Sequence, residues 1–483
     1  MTSAVAIPVA VQGPSLAKPS AGTRGVTSPA GFFSQERTAE RPAQQPGHVC
    51  PQNQTLSGHP NQVRGNEDCL SLNIYASHTA QNLPVMIWLH GGSFETGAGS
   101  DYDPSPLARE QHVIVVTINY RLGALGFLAL PTLTQGGSAG NYGLLDQQLA
   151  LQWVRDNIAA FGGDAHNITV FGESAGGMSI CDQLVMPGAQ GLFDKAIIES
   201  GPCTSAGVTV SRQEAFNQSA AAIKTLGCDP NDVACLRQLP AEKLALTRPP
   251  KSGTVPFAPL YGDPTLPQAP AQALTTAQAL KVPLLIGSNL DEARVFAAFI
   301  VKPERDLNLW EYLGGSYLLN KGHLLASLFH YTAAAYGTRT LALAAASTDQ
   351  AFACPTSDLA RSRSHAVPVY AYEFRDRSVP VRASPTPGLP SLGAFHSVEI
   401  PFVLGTSNEL VNLDAFTPQQ LDLGRTMRAY WANFARTGDP NGAGLAVWNP
   451  LNADGSGVQE LRPERIGPVT DFRSFHQCDA IWK

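Results

Sequence analysis

Six largely apolar runs of strand length constrain this chain more than any other feature: Val85–Leu89, Val113–Ile118, Ile168–Phe171, Ala196–Ile198, Pro283–Ile286 and Val369–Phe374. Each is followed by polar or glycine-rich residues, as strands buried on both faces are. Between the second and third runs, Leu145, Leu149, Trp153 and Ile158 fall near helical spacing across Leu144–Phe161, and Gly162-Gly163 closes the segment. Alternating strands and helices favour an α/β fold: a central, mostly parallel twisted sheet with helices on both faces, its function gathered in loops at the carboxyl ends of the strands.

The chain has 483 residues, enough for about three domains at roughly 150 residues each. No charged or Gly/Ser linker divides it, so we expect one catalytic domain over residues 49–483, with insertions at about 203–280 and 298–360 that cover or shape a site. Residues 1–48, rich in Ala, Pro, Gly, Ser and Gln and without a sustained period, read as an atypical, weakly structured lead-in.

The 33 basic and 39 acidic residues give a net charge of −6, so no global field attracts phosphate backbones and a nucleic-acid partner is not expected. No apolar run reaches the roughly 18 to 20 residues of a membrane helix, so stable membrane insertion is not expected either. The opening MTSAVAIPVAVQG lacks the basic start and long apolar core of a secretory signal. Export is argued instead from eight cysteines: Cys50, Cys69, Cys181, Cys203, Cys228, Cys235, Cys354 and Cys478. None forms a C-x-x-C pair and none has zinc-ligand spacing, so no metal site is expected. The even number and the short-range pairs Cys50/Cys69 and Cys228/Cys235 suit disulfides made in an oxidising compartment, hence a secreted or periplasmic protein.

The sharpest chemical signal is Gly172-Glu173-Ser174-Ala175-Gly176-Gly177, directly after one strand run and before a helix beginning near Ala175. A serine on such a turn has a strained backbone and an exposed Oγ, and its small neighbours let strand and helix approach. Its hydroxyl needs a base, and the base needs a carboxylate that fixes its tautomer. The run ending at Ile286 leads into Gly287-Ser288-Asn289-Leu290-Asp291-Glu292, where either Asp291 or Glu292 suits the carboxylate. Of the histidines that follow, His396 sits in the small-residue loop Gly393-Ala394-Phe395-His396-Ser397, whereas His323 and His330 lie in a helix-like segment. His90-Gly91-Gly92-Ser93-Phe94 ends the first run and offers backbone N–H groups for an oxyanion, with the amide of Ala175 completing the set.

Together these blocks resemble the type-B carboxylesterases, the cholinesterase-like branch of the α/β-hydrolase fold. Glu67-Asp68-Cys69-Leu70-Ser71-Leu72-Asn73-Ile74 is similar to one family signature and Phe171 to Gly177 to the nucleophile signature. Trp88 to Gly92, Asn119 to Gly123, Gly140 to Gln147 and Asn157 to Asp164 follow in family order. The resemblance runs from about Cys50 to the C-terminus. It implies Ser174 as nucleophile, Glu292 as acid, His396 as base, an oxyanion hole of Gly92, Ser93 and Ala175, and a polar group of Glu173, Ser200 and Glu399 behind the histidine. It further implies the bridges Cys50–Cys69, Cys228–Cys235 and Cys354–Cys478; the remaining Cys181 and Cys203 are expected to form a fourth.

This chain departs from the family where Ser93 stands for a third glycine, where Ala293 follows the acid in place of glycine, and where residues 1–48 lack the usual preceding blocks. The Cys50–Cys69 loop has no aromatic residue to stack on a choline headgroup, so a choline ester is not expected. The resemblance implies a serine carboxylesterase that acts on a small-molecule ester through an acyl-enzyme and requires no cofactor. The alternatives are a triacylglycerol lipase and, from another class, a non-catalytic cholinesterase-like binding protein.

Overall fold

The computed structural model describes residues 5–7, 45–54, 59–134, 137–250, 255–276, 278–300, 306–319, 322–382 and 391–482. Its centre is a ten-stranded sheet. In chain order the strands are β1 (Val5–Ile7), β2 (Leu72–Tyr75), β3 (Leu83–Leu89), β4 (Ile114–Ile118), β5 (Gly163–Glu173), β6 (Lys195–Glu199), β7 (Leu284–Asn289), β8 (Val369–Phe374), β9 (Val458–Arg462) and β10 (Arg465–Val469). In space they run β1-β2-β4-β3-β5-β6-β7-β8-β9-β10. The sheet is parallel from β4 to β9 and antiparallel at both edges, where β1 and β2 lie on one side and β10 on the other.

Successive residues of a strand face opposite ways, and here both faces are covered. Val85, Ile87 and Leu89 of β3 join one apolar cluster while Met86 and Trp88 join the other. The first cluster also takes Leu144, Leu151 and Val154 of helix α1 (Tyr142–Asn157) and Ile180 of helix α2 (Ala175–Gln183). The helices of the C-terminal half that bear on the site are α3 (Arg294–Ile300), α4 (Arg339–Thr348), α5 (Cys354–Ser364) and α6 (Pro418–Thr437). Met427, Tyr430, Trp431 and Phe434 of α6 fill the second cluster. This two-sided burial is why the strand runs are continuously apolar.

The strand Val5–Ile7 falls inside the stretch expected to be weakly structured, yet it pairs with β2 at the sheet edge. Residues 1–4 and 8–44 of that stretch lie outside the described residues. Among the described residues the second expected insertion is largely helical, whereas the first has helices at Arg212–Thr225, Val233–Gln238, Ala241–Leu246 and Pro270–Ala273 joined by longer irregular stretches. A third cluster of Tyr312, Tyr331, Ala342, Ala346 and Ile481 joins the second insertion to the C-terminus. Bridges join Cys50–Cys69, Cys181–Cys203, Cys228–Cys235 and Cys354–Cys478. Among the described residues no helix is long and apolar enough to cross a membrane.

Candidate active site

Strand β5 ends at Glu173 and helix α2 begins at Ala175, leaving Ser174 alone to turn the chain. Its φ of 55° and ψ of −120° lie in a region that side chains avoid, at a cost of about 1 to 3 kcal/mol. The turn is pinned on both sides, since the Ser174 N–H donates to the Glu199 carbonyl at 3.0 Å and the Ser174 carbonyl accepts from Met178 at 2.8 Å. A side chain at Gly172 or Gly176 would collide with the carbonyl of Leu89, so only glycines let the elbow seat against β3. Ala175 opens α2, and its N–H is among the amides that a helix leaves unpaired.

The loop after β3 carries Gly92 (φ 107°), Ser93 (φ 56°) and Phe94 (φ 59°) in the left-handed region, folding it back over the elbow. Gly91 packs so closely against Glu173 and Ser174 that a Cβ there would meet both. His90 braces this loop from below: its ring stacks on Tyr120 at 4.3 Å, and its carbonyl accepts from the Tyr120 hydroxyl at 2.7 Å. Burial pulls the His90 imidazole down to about 4, so it is neutral. Gln52, in the loop closed by Cys50–Cys69, holds the far side of the turn by exchanging two hydrogen bonds with the backbone of Gly97, at 2.9 and 2.8 Å.

The residues Asp291 and Glu292 meet the loop that carries His396. The Asp291 N–H donates to the Ala394 carbonyl at 2.9 Å, the Ala394 N–H donates to Asp291 Oδ2 at 3.0 Å, and the Asn289 amide donates to the Phe395 carbonyl at 2.9 Å. Gly393, at φ 66°, has no room for a side chain beside the Asp291 carboxylate. So held, His396 places Nδ1 2.6 Å from Glu292 Oε2. Asp291 faces away from the histidine, paired with Arg377 at 2.7 Å and Arg294 at 2.8 Å. Of the two adjacent carboxylates, Glu292 is the one in contact with the ring.

The other ring nitrogen, Nε2, faces Glu173 Oε1 at 3.1 Å, one residue before Ser174. The structure thus brings His396 to the elbow with Nε2 beside Glu173. Behind the ring, Glu399 accepts from the Ser200 hydroxyl at 3.1 Å and from the Asn289 amide at 2.5 Å. Glu199, fully buried, accepts from Trp431 Nε1 at 2.9 Å. All the expected residues Glu173, Ser174, Ser200, Glu292, His396 and Glu399 are thus gathered here.

So many buried carboxylates around one imidazole set its charge. Burial opposes a charge on His396, but Glu173, Glu292 and Glu399 outweigh it and push the ring up to about 9. Burial lifts Glu173 to about 8, against the pull of His396. Burial, with Glu292 nearby, lifts Glu399 to about 7, and burial with Glu399 nearby lifts Glu199 well above the carboxylate range. The arrangement can store protons around a base that a carboxylate orients, next to a strained serine. Such a set serves nucleophilic attack at a carbonyl.

The sequence reading missed Asn289, Glu199, Trp431, Phe296 and Phe352. Phe296 and Phe352 lie against the His396 ring at 5.0 and 5.1 Å and form an apolar wall over it. Asn289 stood in the quoted Gly287 to Glu292 loop and offered a signal as a buried polar residue at a strand end; the others come from distant segments with no local mark.

The family model described as the carboxylesterase family matches residues 32–479, beginning earlier than the resemblance at Cys50. Para-nitrobenzyl esterase of Bacillus subtilis (strain 168) is 39% identical over 413 residues, covering 82% of this chain and 80% of its own. Human cocaine esterase is 36% identical over 401 residues, covering 79% and 69%. Among solved structures, a thermophilic PNB esterase superposes with a TM-score of 0.73 at 35% identity, covering 90% of this chain and 89% of its own.

Proposed function

The chain belongs to the carboxylesterase family, and on that premise we propose that Ser174, His396 and Glu292 carry its hydrolysis of carboxylic esters. The observation that carries the proposal is the 2.6 Å contact of Glu292 with His396 Nδ1, made beside the strained Ser174. With Nδ1–H held by Glu292, Nε2 becomes the basic nitrogen of the ring once the ring gives up the proton it holds beside Glu173. It exchanges Glu173 for the Ser174 hydroxyl as substrate binds, since such hydrogen bonds often tighten only in the complex.

Ser174 Oγ then attacks the ester carbonyl carbon as Nε2 takes its proton. The carbonyl oxygen becomes an oxyanion and lies against the N–H groups of Gly92, Ser93 and Ala175, each such donor being worth about 3 kcal/mol in the transition state. Collapse breaks the bond to the alcohol, which leaves with the proton from Nε2, and an acyl-Ser174 remains. Water, deprotonated by the same nitrogen, attacks the acyl carbon and releases the acid. Ester hydrolysis by this route consumes only water.

The substrate is a small-molecule ester. Phe296 and Phe352 favour an apolar group beside the base, and para-nitrobenzyl esterase among the relatives suits an aromatic alcohol in that position. A triacylglycerol is the second reading, drawn from Leu309, Trp310, Leu318, Leu325 and Phe329, which stand exposed on the second insertion. Four disulfides fit folding in an oxidising, extracellular compartment, and we place the protein there as a secreted or periplasmic enzyme whose single catalytic domain spans residues 49–483. Hydrolysis of p-nitrophenyl esters from acetate to palmitate, by wild type and Ser174→Ala, tests both readings. A peak at short chains supports the esterase, and a peak at long chains the lipase.

A further inference from the structure

The strongest buried charge arrangement outside the site is centred on His476, whose ring is 1% exposed. Its Nδ1 lies 2.5 Å from Asp349 Oδ1 and its Nε2 2.5 Å from Glu373 Oε1. A neutral imidazole carries one N–H, so bonding two carboxylates at once calls for an imidazolium. Burial opposes that charge, but Asp349 and Glu373 outweigh it and push His476 up to about 10. The outer oxygens are also taken: Arg375 pairs with Glu373, and the Tyr331 hydroxyl donates to Asp349 Oδ2 at 2.7 Å while accepting from Trp482 Nε1 at 2.7 Å.

The two carboxylates belong to the two elements that frame the acid loop. Glu373 is the register partner of Ser288 across β7 and β8, and the next residue, Phe374, accepts from the Leu290 N–H at 3.0 Å. Asp349 opens a π-helical turn, Asp349–Ala353, between α4 and α5. Such turns break helical regularity and re-aim side chains, often beside functional sites. Thr348, just before the turn, accepts at Oγ1 from the Ala293 N–H at 3.0 Å, next to Glu292. Phe352, inside it, lies 5.1 Å from the His396 ring. The Cys354–Cys478 bridge fastens the end of the turn to the segment that carries His476.

We propose that His476 is a positioning residue: by bridging Asp349 and Glu373 it holds the Asp349–Ala353 turn against β8 and thereby fixes Phe352 and the Glu292 loop on two sides of His396. The inference rests on the reading of Ser174, His396 and Glu292 given above. His476 itself never meets substrate. Removing its charge leaves two buried carboxylates facing each other, and their repulsion moves the turn. Phe352 moves with the turn, so the rate and the preference between short and long acyl groups change together.

The test uses the full chain as wild type, His476→Gln, Phe352→Leu and the double variant. Working sites are counted by the burst of p-nitrophenolate from diethyl p-nitrophenyl phosphate, and kcat and KM are measured for p-nitrophenyl acetate and hexanoate well below the unfolding temperature. In His476→Gln, kcat/KM per titrated site should fall about tenfold or more, as small misplacements of reacting groups do. Its hexanoate-to-acetate ratio should also shift, and in the double variant that ratio should differ little from that of Phe352→Leu, the non-additivity of coupled residues.

A purely structural His476 lowers the titratable fraction and leaves the constants per site and the acyl preference at wild-type values; that result overturns the proposal. If His476→Gln does not fold, Asp349→Asn, which keeps one carbonyl oxygen for the ring and turns its amide N–H groups toward the Tyr331 hydroxyl, is read by the same two outcomes. A folded wild type that the organophosphate does not titrate sinks the triad reading itself, and this inference with it.

Discussion

Asp291 and Glu292 are adjacent in the chain and grip the same loop at different points: Glu292 Oε2 meets His396 Nδ1 at 2.6 Å, while Asp291 Oδ2 accepts the Ala394 N–H at 3.0 Å. One orients the ring and the other holds the loop that bears it. Glu292→Gln should lower kcat by about 10,000-fold, as replacement of an orienting carboxylate by its amide does elsewhere. Asp291→Asn keeps an oxygen for Ala394 but loses charge toward both Arg377 and the more buried Arg294, so it should cost about 3 kcal/mol of stability with kcat within about tenfold. Steady-state kinetics of the two variants, with urea unfolding, separate these roles; equal losses of kcat would contradict them.

The pH dependence follows from the carboxylates around His396. In the proposed mechanism the ring accepts a proton only when neutral, and its proton is held up to about 9 in the resting protein, with Glu173 the largest of the raising influences. Therefore kcat/KM, which reports the free enzyme, should climb with pH toward that value. Glu173→Gln removes one negative neighbour and should move the rising limb to lower pH. A limb that stays put or moves upward would show that Glu173 does not hold the proton on the ring.

His476 makes stability depend on pH in a defined window. Its ordinary value is 6.5, and the fold pushes it up to about 10. Between those values the folded chain holds a proton that the unfolded chain has released, so stability is full below about 6.5 and is lost as pH rises through about 10. Urea midpoints taken from pH 6 to 10 should therefore fall more steeply for wild type than for His476→Gln. His396 is raised as well and adds the same slope to both proteins, so the difference between them reports the cluster of His476, Asp349 and Glu373; parallel curves would refute the assignment.

The parallel centre of the sheet was legible because strands such as Val85–Leu89 are covered on both faces and so read as apolar without interruption. The outer strands Val5–Ile7, Val458–Arg462 and Arg465–Val469 were not legible: they are short or mix charged residues with apolar ones, and pairing partners decide them. In the site, Ser174 was visible as the proposed nucleophile because one strained turn demands small neighbours in a fixed local pattern. The carboxylate was not resolved by chemistry, since only the three-dimensional path of the loop separates Asp291 from Glu292. Glu199, Trp431, Phe296 and Phe352 carry no local pattern, for their positions result from packing between segments far apart in the chain.

The proposed nucleophile is tested most directly by comparing wild type with Ser174→Ala on p-nitrophenyl esters, each protein shown to be folded by its urea transition. Wild type should hydrolyse the esters and be inactivated one-to-one by an organophosphate, with the label on Ser174. The variant should lose about a millionfold in kcat and take up no label. A folded Ser174→Ala protein that keeps most of its activity, or an organophosphate found on another residue, would contradict the account.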